Sequence, residues 1–489
     1  MIDKAGEGYA SRVATTCSRP GVVLAICCVS VFIVGMDSSI LNVALPSIQH
    51  AFGASISGAQ WTLDAYTLTL ASFLMLSAST ADRIGRRKVF QTGLAIFTTG
   101  SLLCSLASSL ETLILFRVLQ AVGGSMLNPV AMSIITNTFT EPRERARAIG
   151  AWGGVVGVSV AAGPLIGGAL VEFIDWRAVF WVNVPIGITA FVLAMRDVPE
   201  SKAAHTRRFD PAGQILVIAT VFLLTFGIIE APRVGWGSPQ TVLCLLAAAA
   251  ALLALIAVEL HKTEPLLDIR FFKAPPFAGA TSIALILFTA QGGFLLLNTL
   301  YLQDIRGFSP LQAGVTILPM PALMALSGPI SGRVVGRYGP RPSMVTGSIA
   351  AICAGLLAAV PAELPTGLRM YVCYALMGIG IGWMNAAITT TAVSGMPNAQ
   401  AGVAAGITST MRQTGVSLGV AIVGSVLASH LPVLVPGPEF TAAYRTSWAI
   451  IVTCGVLVLT IGVLTTGRWA QRAVYKQVHK HPMEKMWHP

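Results

Sequence analysis

Polar and apolar positions do not alternate along this chain. Apolar residues come in long runs, broken by short polar connectors. Fourteen runs can be marked, near 21–45, 57–80, 89–108, 110–136, 146–172, 178–195, 212–231, 239–260, 276–302, 310–332, 343–362, 366–392, 404–430 and 446–467. Roughly 20 apolar residues in helical form cross a bilayer. Lipid offers no partner to open backbone groups, so runs of this length are predicted to be helices, with Gly and Pro tolerated where helices pack. The pattern predicts an all-α integral membrane protein with 14 transmembrane helices.

Composition adds orientation. The 489 residues are 54% hydrophobic and only 11% charged, yet the formal net charge is +11. A basic excess can signal a nucleic-acid partner, but its distribution here points to the bilayer instead. With the N-terminus placed inside, the inner connectors and tails hold 25 of the 32 Lys and Arg residues. The outer loops hold only Arg177, Arg233, Arg306, Arg369 and Arg445, while Arg117 and Arg412 fall within runs. That is the positive-inside pattern, and it predicts both termini in the cytoplasm. The first twenty residues are polar and lack a signal-peptide cleavage pattern, so the first run is expected to stay in the protein. Eight scattered cysteines, with no CxxC and no metal spacing, read as small apolar packing residues.

One connector exceeds the charge rule. In "STADRIGRRKVF" (Ser79–Phe90) five charges stand within seven residues, the acid first. Topology accounts for the four bases, but not for Asp82 or Gly85. A fainter copy, "SGRVVGRYGPR" (Ser331–Arg341), follows the tenth run, and Gly339 matches Gly85 at an offset of 254. A second echo pairs "GVSVA" (Gly157–Ala161) with "GVSLG" (Gly415–Gly419) at an offset of 258. Two echoes at nearly one offset predict duplicated halves, a common transporter plan. The organisation expected is an N-tail (1–20), a six-helix bundle (21–210), an inserted pair of runs 7 and 8 (211–262), a second six-helix bundle (263–470) and a basic cytoplasmic tail (471–489).

On these motifs the chain resembles the 14-helix drug/proton antiporter branch of the major facilitator superfamily. Asp82, Arg83, Gly85, Arg86 and Arg87 fit that superfamily's loop motif between helices 2 and 3, while Ala78 and Thr80 depart from it. "LILFRVLQAVGG" (Leu113–Gly124) is similar to the helix-4 motif, with Ala121 where Gly is usual. "GVSVAAGPLIGG" (Gly157–Gly168), with Gly157, Gly163, Pro164, Gly167 and Gly168, resembles the helix-5 antiporter motif. "MDSSILNVALP" (Met36–Pro46) and "DWRAVFWVNVPIG" (Asp175–Gly187) look like the helix-1 and helix-6 signatures of the branch. The resemblance implies that the Asp82 loop latches the halves on the cytoplasmic side when the outer gate is open. The second copy has Gly336 in place of the acid. It further implies that the helix-5 bend seals the cavity and favours antiport.

Charges deep in a bilayer persist where they face a cavity or a partner. Asp37, Asp64 and Arg117 lie seven or eight residues from the outer ends of runs 1, 2 and 4, roughly 10–12 Å deep at about 1.5 Å per residue. Two readings stand: a buried ion pair that fixes packing, or a proton and cation site tuned by Arg117. No histidine lies mid-membrane, so a proton carrier would be a carboxylate. Arg117, Gln120, Gly124 and Asn128 form one stripe on run 4, expected to face the central cavity. Asn42, Tyr66, Asn298 and Trp383 are further candidates to line it. Glu230 and Arg412 are secondary candidates, and Glu230 and Glu259 are expected at headgroup water.

The function expected is a proton-coupled exporter of amphipathic, possibly cationic, small molecules, working by alternating access and driven by the proton motive force without a cofactor. An exporter dedicated to one metabolite or antibiotic keeps the same fold. A membrane sensor or membrane-embedded enzyme is the remote alternative, since the chain has no GxSxG, HExxH or Walker loop.

Overall fold

The computed structural model describes residues 20–202, 210–262, 269–359, 366–394, 398–430 and 437–467. Each predicted run is helical there: α1 (Pro20–Phe52), α2 (Ile56–Ile84), α3 (Arg86–Ser105), α4 (Leu110–Thr138), α5 (Pro142–Phe173), α6 (Ala178–Asp197), α7 (Pro211–Val234), α8 (Pro239–His261), α9 (Pro275–Ile305), α10 (Pro310–Tyr338), α11 (Pro340–Ala359), α12 (Gly367–Val393), α13 (Asn398–His430) and α14 (Pro438–Thr465). No strand occurs among the described residues. The basic tail 471–489, nearly all of the N-tail 1–20 and the end of the eleventh run (360–362) lie outside them.

Twelve of these helices are long and apolar enough to cross a membrane. The other two, α2 and α3, are long but more polar: α2 carries Gln60 and Asp64, and α3 opens on Arg86, Arg87 and Lys88. Helices with many neighbours show less surface to lipid and need less apolar character.

The starts are written in the sequence. Ser55 caps α2 by accepting from the Gly58 amide, and Ser109 with Thr112 forms a capping box on α4. Pro supplies the first turn of α5, α7, α8 and α9, where its missing N–H costs nothing. Within α10 the α-helix breaks at Leu318, just before Pro319, which has no amide to continue the ladder.

Helix pairing in the first six helices recurs eight helices later. α1 packs on α5 as α9 packs on α13, α2 on α4 as α10 on α12, α3 on α4 as α11 on α12, and α3 on α6 as α11 on α14. The two sets meet along two reciprocal seams, α2 against α13 and α5 against α10. At the end bearing Phe52 the seams are closed. Glu172 of α5 accepts from Ser309 Oγ (2.5 Å) and the Leu311 amide (3.1 Å), and Gln303 donates to the Val43 carbonyl (2.8 Å). His50 pairs with Asp304 at 3.4 Å. At the opposite end, bearing Ile84, a Cβ built on Gly150, Gly153, Gly154, Gly328, Gly332, Gly336 or Gly406 would meet nothing within 4 Å. The halves are therefore together at one end, while the α5–α10 seam is open at the other.

α7 lies over the α2–α13 seam and touches both helices, while α8 packs on α7 and presents Leu243, Leu246 and Leu253 outward. Hydrogen bonds tie α7 to α2: Ser57 Oγ to the Ile229 carbonyl, Trp61 Nε1 to Glu230, and Gln214 Nε2 to the Ser72 carbonyl.

Candidate functional site

Asp37 and Arg117 meet, as equal depth on neighbouring helices allows. Arg117 Nη1 donates to Asp37 Oδ2 at 2.6 Å, and both side chains are buried. Asp37 Oδ1 accepts from Gln120 Nε2 (2.8 Å) and Asn183 Nδ2 (2.9 Å). Arg117 also reaches Gln120 Oε1 (2.7 Å) and the Thr62 carbonyl (3.3 Å), and lies 3.9 Å over the Tyr66 ring. Asn183 continues to Ser101, which bonds the Phe180 carbonyl. This network joins α1, α2, α3, α4 and α6 of one half. Every oxygen of the acid has a partner, the condition under which a buried ion pair holds in low dielectric.

Asp64 does not join it, although its depth matches. Its side chain is fully buried and points to the α2–α13 seam, where Oδ1 accepts from Ser417 Oγ at 2.6 Å. Oδ2 is buried with no hydrogen-bond partner among the described residues. No cation pairs with this acid among the described residues, whereas Arg117 holds Asp37. One turn away Gln60 donates to the Val420 carbonyl (2.8 Å), and a Cβ on Gly424 would strike the Gln60 amide at 1.9 Å. The seam is thus packed to contact.

The stripe on α4 turns inward rather than toward an open cavity. Gln120 is committed to Asp37 and Arg117, Gly124 abuts the Tyr66 hydroxyl, and Asn128 is half-buried. A buried amide needs partners, and Asp37 of α1 and Arg117 of α4 itself supply them to Gln120. Tyr66 and Asn298 are likewise wholly buried, Asn298 between the Phe294 carbonyl and the Tyr374 hydroxyl. Asn42 does line a pocket, with Ser39, Val160, Pro164, Thr299 and Met320 from both halves. Trp383 is half-buried, and its carbonyl accepts from Ser331.

The helix-5 motif forms a three-helix junction. A Cβ on Gly163 would lie 1.9 Å from Ser39 Oγ and one on Gly167 2.5 Å from Ile40, so small residues seat α5 on α1. Gly157 and Gly168 face Ala325 and Pro310 of α10 at 3.0 and 2.6 Å, and the Pro164 carbonyl stands 2.1 Å from a Cβ on Gly314. Gly415 and Gly419 serve α13 against α9 in the same way.

The Asp82 loop binds within its own half. Asp82 accepts from Arg86 Nη2 at 3.0 Å, and Arg83 is exposed. The Arg86 amide donates to the Ser201 carbonyl, the Arg87 amide to Glu200 Oε1, and Arg87 Nη1 to the Val198 carbonyl. Gly85 has φ +130°, and a Cβ there would meet the Glu200 carboxylate at 2.6 Å. Both facts explain its glycine.

Glu230 is held at the far end by Trp61 and Arg233. Glu259 is buried beside Asp210 rather than wetted by headgroup water, because α7 covers it. Burial pushes the Asp210 carboxyl up, but hydrogen bonds from Lys262, the Gly213 amide and Glu259 prevail and hold it below the usual range. Among the functional candidates, Ser417, Asn183 and Glu200 went unread in the sequence. Ser417 sits inside the GVSLG echo and Asn183 inside DWRAVFWVNVPIG, which were the available signals.

Two like sets of helices, closed together at one end and parted along the α5–α10 seam at the other, make the architecture of a membrane transporter. The chain belongs to the Major Facilitator Superfamily, whose family model matches residues 27–420. It is 36% identical over 415 residues to the multidrug resistance protein Stp of Mycobacterium tuberculosis, covering 83% of this chain and 77% of that protein. It is 36% identical over 416 residues to the tetracenomycin C resistance and export protein of Streptomyces glaucescens, covering 84% and 77%. Its fold matches a bacterial homolog of the human lysosomal transporter Spinster at TM-score 0.63 and 19% identity, covering 94% of this chain and 98% of that one. It also matches a peptide transporter POT at TM-score 0.66 and 14% identity, covering 90% and 94%. The protein is a multi-pass membrane transporter.

Proposed function

We propose that this chain exports drug-like small molecules across the cytoplasmic membrane in exchange for protons. The observation that carries the reading is the pair of reciprocal seams, closed at the Phe52 end, with the α5–α10 seam open at the Ile84 end, in a relative of resistance and export proteins. Between the seams lies a water-sized pocket lined from both halves, which would have to widen to hold cargo. Rocking the halves about it exposes that pocket to each side in turn. The proton carrier in this reading is Asp64. Closing the seam buries its carboxyl without a cation, and an uncompensated buried charge costs several kcal/mol, so the closed seam accommodates the acid form. Asp37 and Arg117 hold the half together. Export of an added fluorescent drug from proteoliposomes, driven by an imposed pH gradient and abolished by a protonophore, tests the reading. Downhill leak alone would reject it.

The topology belongs to the same reading: 14 spans, both termini cytoplasmic, and bundles 21–210 and 263–470 bracketing the pair 211–262. Cysteines placed at Lys202 and Ser238 should label from the cytoplasmic and outer faces respectively. Equal labelling from both faces would break this arrangement.

The Asp82 loop acts in this reading as a conformational latch. In the conformation described, Asp82 engages Arg86, and the loop is tied to the end of α6. Asp82→Asn should lower turnover about tenfold while substrate Kd changes less than twofold, since a group that biases a two-state equilibrium need not touch the ligand. Unchanged turnover would return the cluster to a topology signal.

A further inference from the structure

The cargo's charge follows from where the two halves keep theirs, given the export reading above. The sequence favoured lipophilic cations because two acids lie within the membrane. Neither offers a free carboxylate to the open end: Asp37 is saturated by Arg117, Gln120 and Asn183, and Asp64 is shut in the α2–α13 seam. The other half holds the opposite charge. Between Arg306 and Pro438 the sequence contains one acid, Glu363, and α10, α11, α12 and α13 contain none. Within those four helices Arg412 is the only charged residue away from the ends.

Arg412 lies in the part of α13 nearer the open end. Its Nη2 donates to Thr389 Oγ1 (2.7 Å) and to the Asn385 carbonyl (3.4 Å), both on α12. The guanidinium stands 5.5 Å from the Phe288 ring of α9. Its Nε is buried with no hydrogen-bond partner, and no carboxylate lies within 4 Å of the side chain among the described residues. Thr389 is exposed, and Gly406, about a turn and a half back along α13, borders open space. A cation inside a membrane protein persists where it meets a partner or a cavity. Here the fixed partners are neutral, and Thr389 beside the guanidinium is exposed.

We infer that Arg412 and Thr389 form an oxyanion subsite for the exported molecule. The cargo class is an amphipathic compound with an aromatic or apolar body and a carboxylate or comparable oxyanion. The guanidinium supplies planar, charge-assisted donors to the anion, and Phe288 an apolar wall; the Thr389 hydroxyl, which donates to the Asn385 carbonyl at 3.1 Å in this conformation, becomes a further donor by turning to the anion. Asp64 then handles the proton in one half while Arg412 receives the anion in the other, so the two charges need not compete for one pocket.

Equilibrium binding to the full chain in zwitterionic-lipid nanodiscs tests this without requiring export. The probes are coumarin-3-carboxylate, 1-naphthoate and pyrenebutyrate, each beside its neutral carboxamide, with empty nanodiscs as the lipid control. At least one carboxylate should bind about tenfold or more tightly than its amide, the range of a hydrogen bond to a charged group. Arg412→Gln should erase that preference, Arg412→Lys should keep part of it, and Thr389→Val should weaken it. Carboxamide binding should stay within twofold throughout. Equal binding of carboxylate and amide by the unaltered chain overturns the inference, as does an equal loss of both in Arg412→Gln. Loss of the preference when phosphatidylglycerol replaces the zwitterionic lipid would mark a lipid headgroup as the occupant, and also overturns it. Proton-driven export of a neutral drug would survive each of these failures.

Discussion

Asp64→Asn should reduce pH-driven accumulation to background while leaving downhill exchange measurable. The seam explains why one substitution has so large an effect. An amide keeps the shape of the acid, accepts the same Ser417 hydrogen bond (2.6 Å in the native side chain), and packs beside Gln60 as before. What it loses is the ability to gain and release a proton as the seam closes and opens. Binding free energy can shift a conformational equilibrium only by its differential contact with the two states, and a permanently neutral side chain at 64 makes none that depends on pH. Transport in vesicles, with and without an imposed gradient, measures both quantities. Accumulation that persists in the Asn variant would move the proton to another acid, with Asp37 first to be examined.

Arg117→Met should cost about 3–5 kcal/mol of stability, the range for removing one partner of a buried ion pair. Asp37 would be left buried without its cation, facing two neutral amides, Gln120 and Asn183. Asp37→Asn with Arg117→Met removes both charges and should recover most of the loss, read as thermal unfolding in detergent. If Asp64 carries the proton, the double variant also retains pH-driven accumulation. A double variant as unstable as Arg117→Met alone would show that the arginine acts through packing on Tyr66 rather than through charge. A stable double variant with no proton coupling would give the pair the coupling role instead.

Much of the fold was legible because hydrocarbon makes one demand on a long segment: all fourteen runs are helical among the described residues, and twelve of the helices are apolar enough to span. The misread ends have a common cause. α1 continues to Phe52 and α14 begins at Pro438, several residues beyond the apolar runs, since polar residues such as Gln49, His50 and Arg445 stay helical outside lipid. The charged trio shows a different limit. Counting residues from a helix end gives depth, and depth brought Asp37 to Arg117. It does not give the direction a side chain points around the helix, and Asp64 faces the other seam. Gln120 and Asn298 read as cavity residues because polar atoms in a span suggest water. Each instead found partners inside one half, which satisfies the same demand. Glu200 carried no signal beyond being the first acid after α6, and only the contact with Gly85 gives it meaning.

Because α7 is hydrogen-bonded to α2 yet lies across α13, the two seams between the halves differ toward the bilayer. The α2–α13 seam is roofed, so a compound dissolved in the lipid meets α7 and α8 there before it meets the interior. The α5–α10 seam has no such cover among the described helices, and its glycines border open space toward the Ile84 end. Lateral entry from the membrane would therefore be one-sided. Hydrophobic cargo would approach past Gly150, Gly153 and Gly332, and bulky substitutions there would discriminate between molecules that arrive through lipid and molecules that arrive through water.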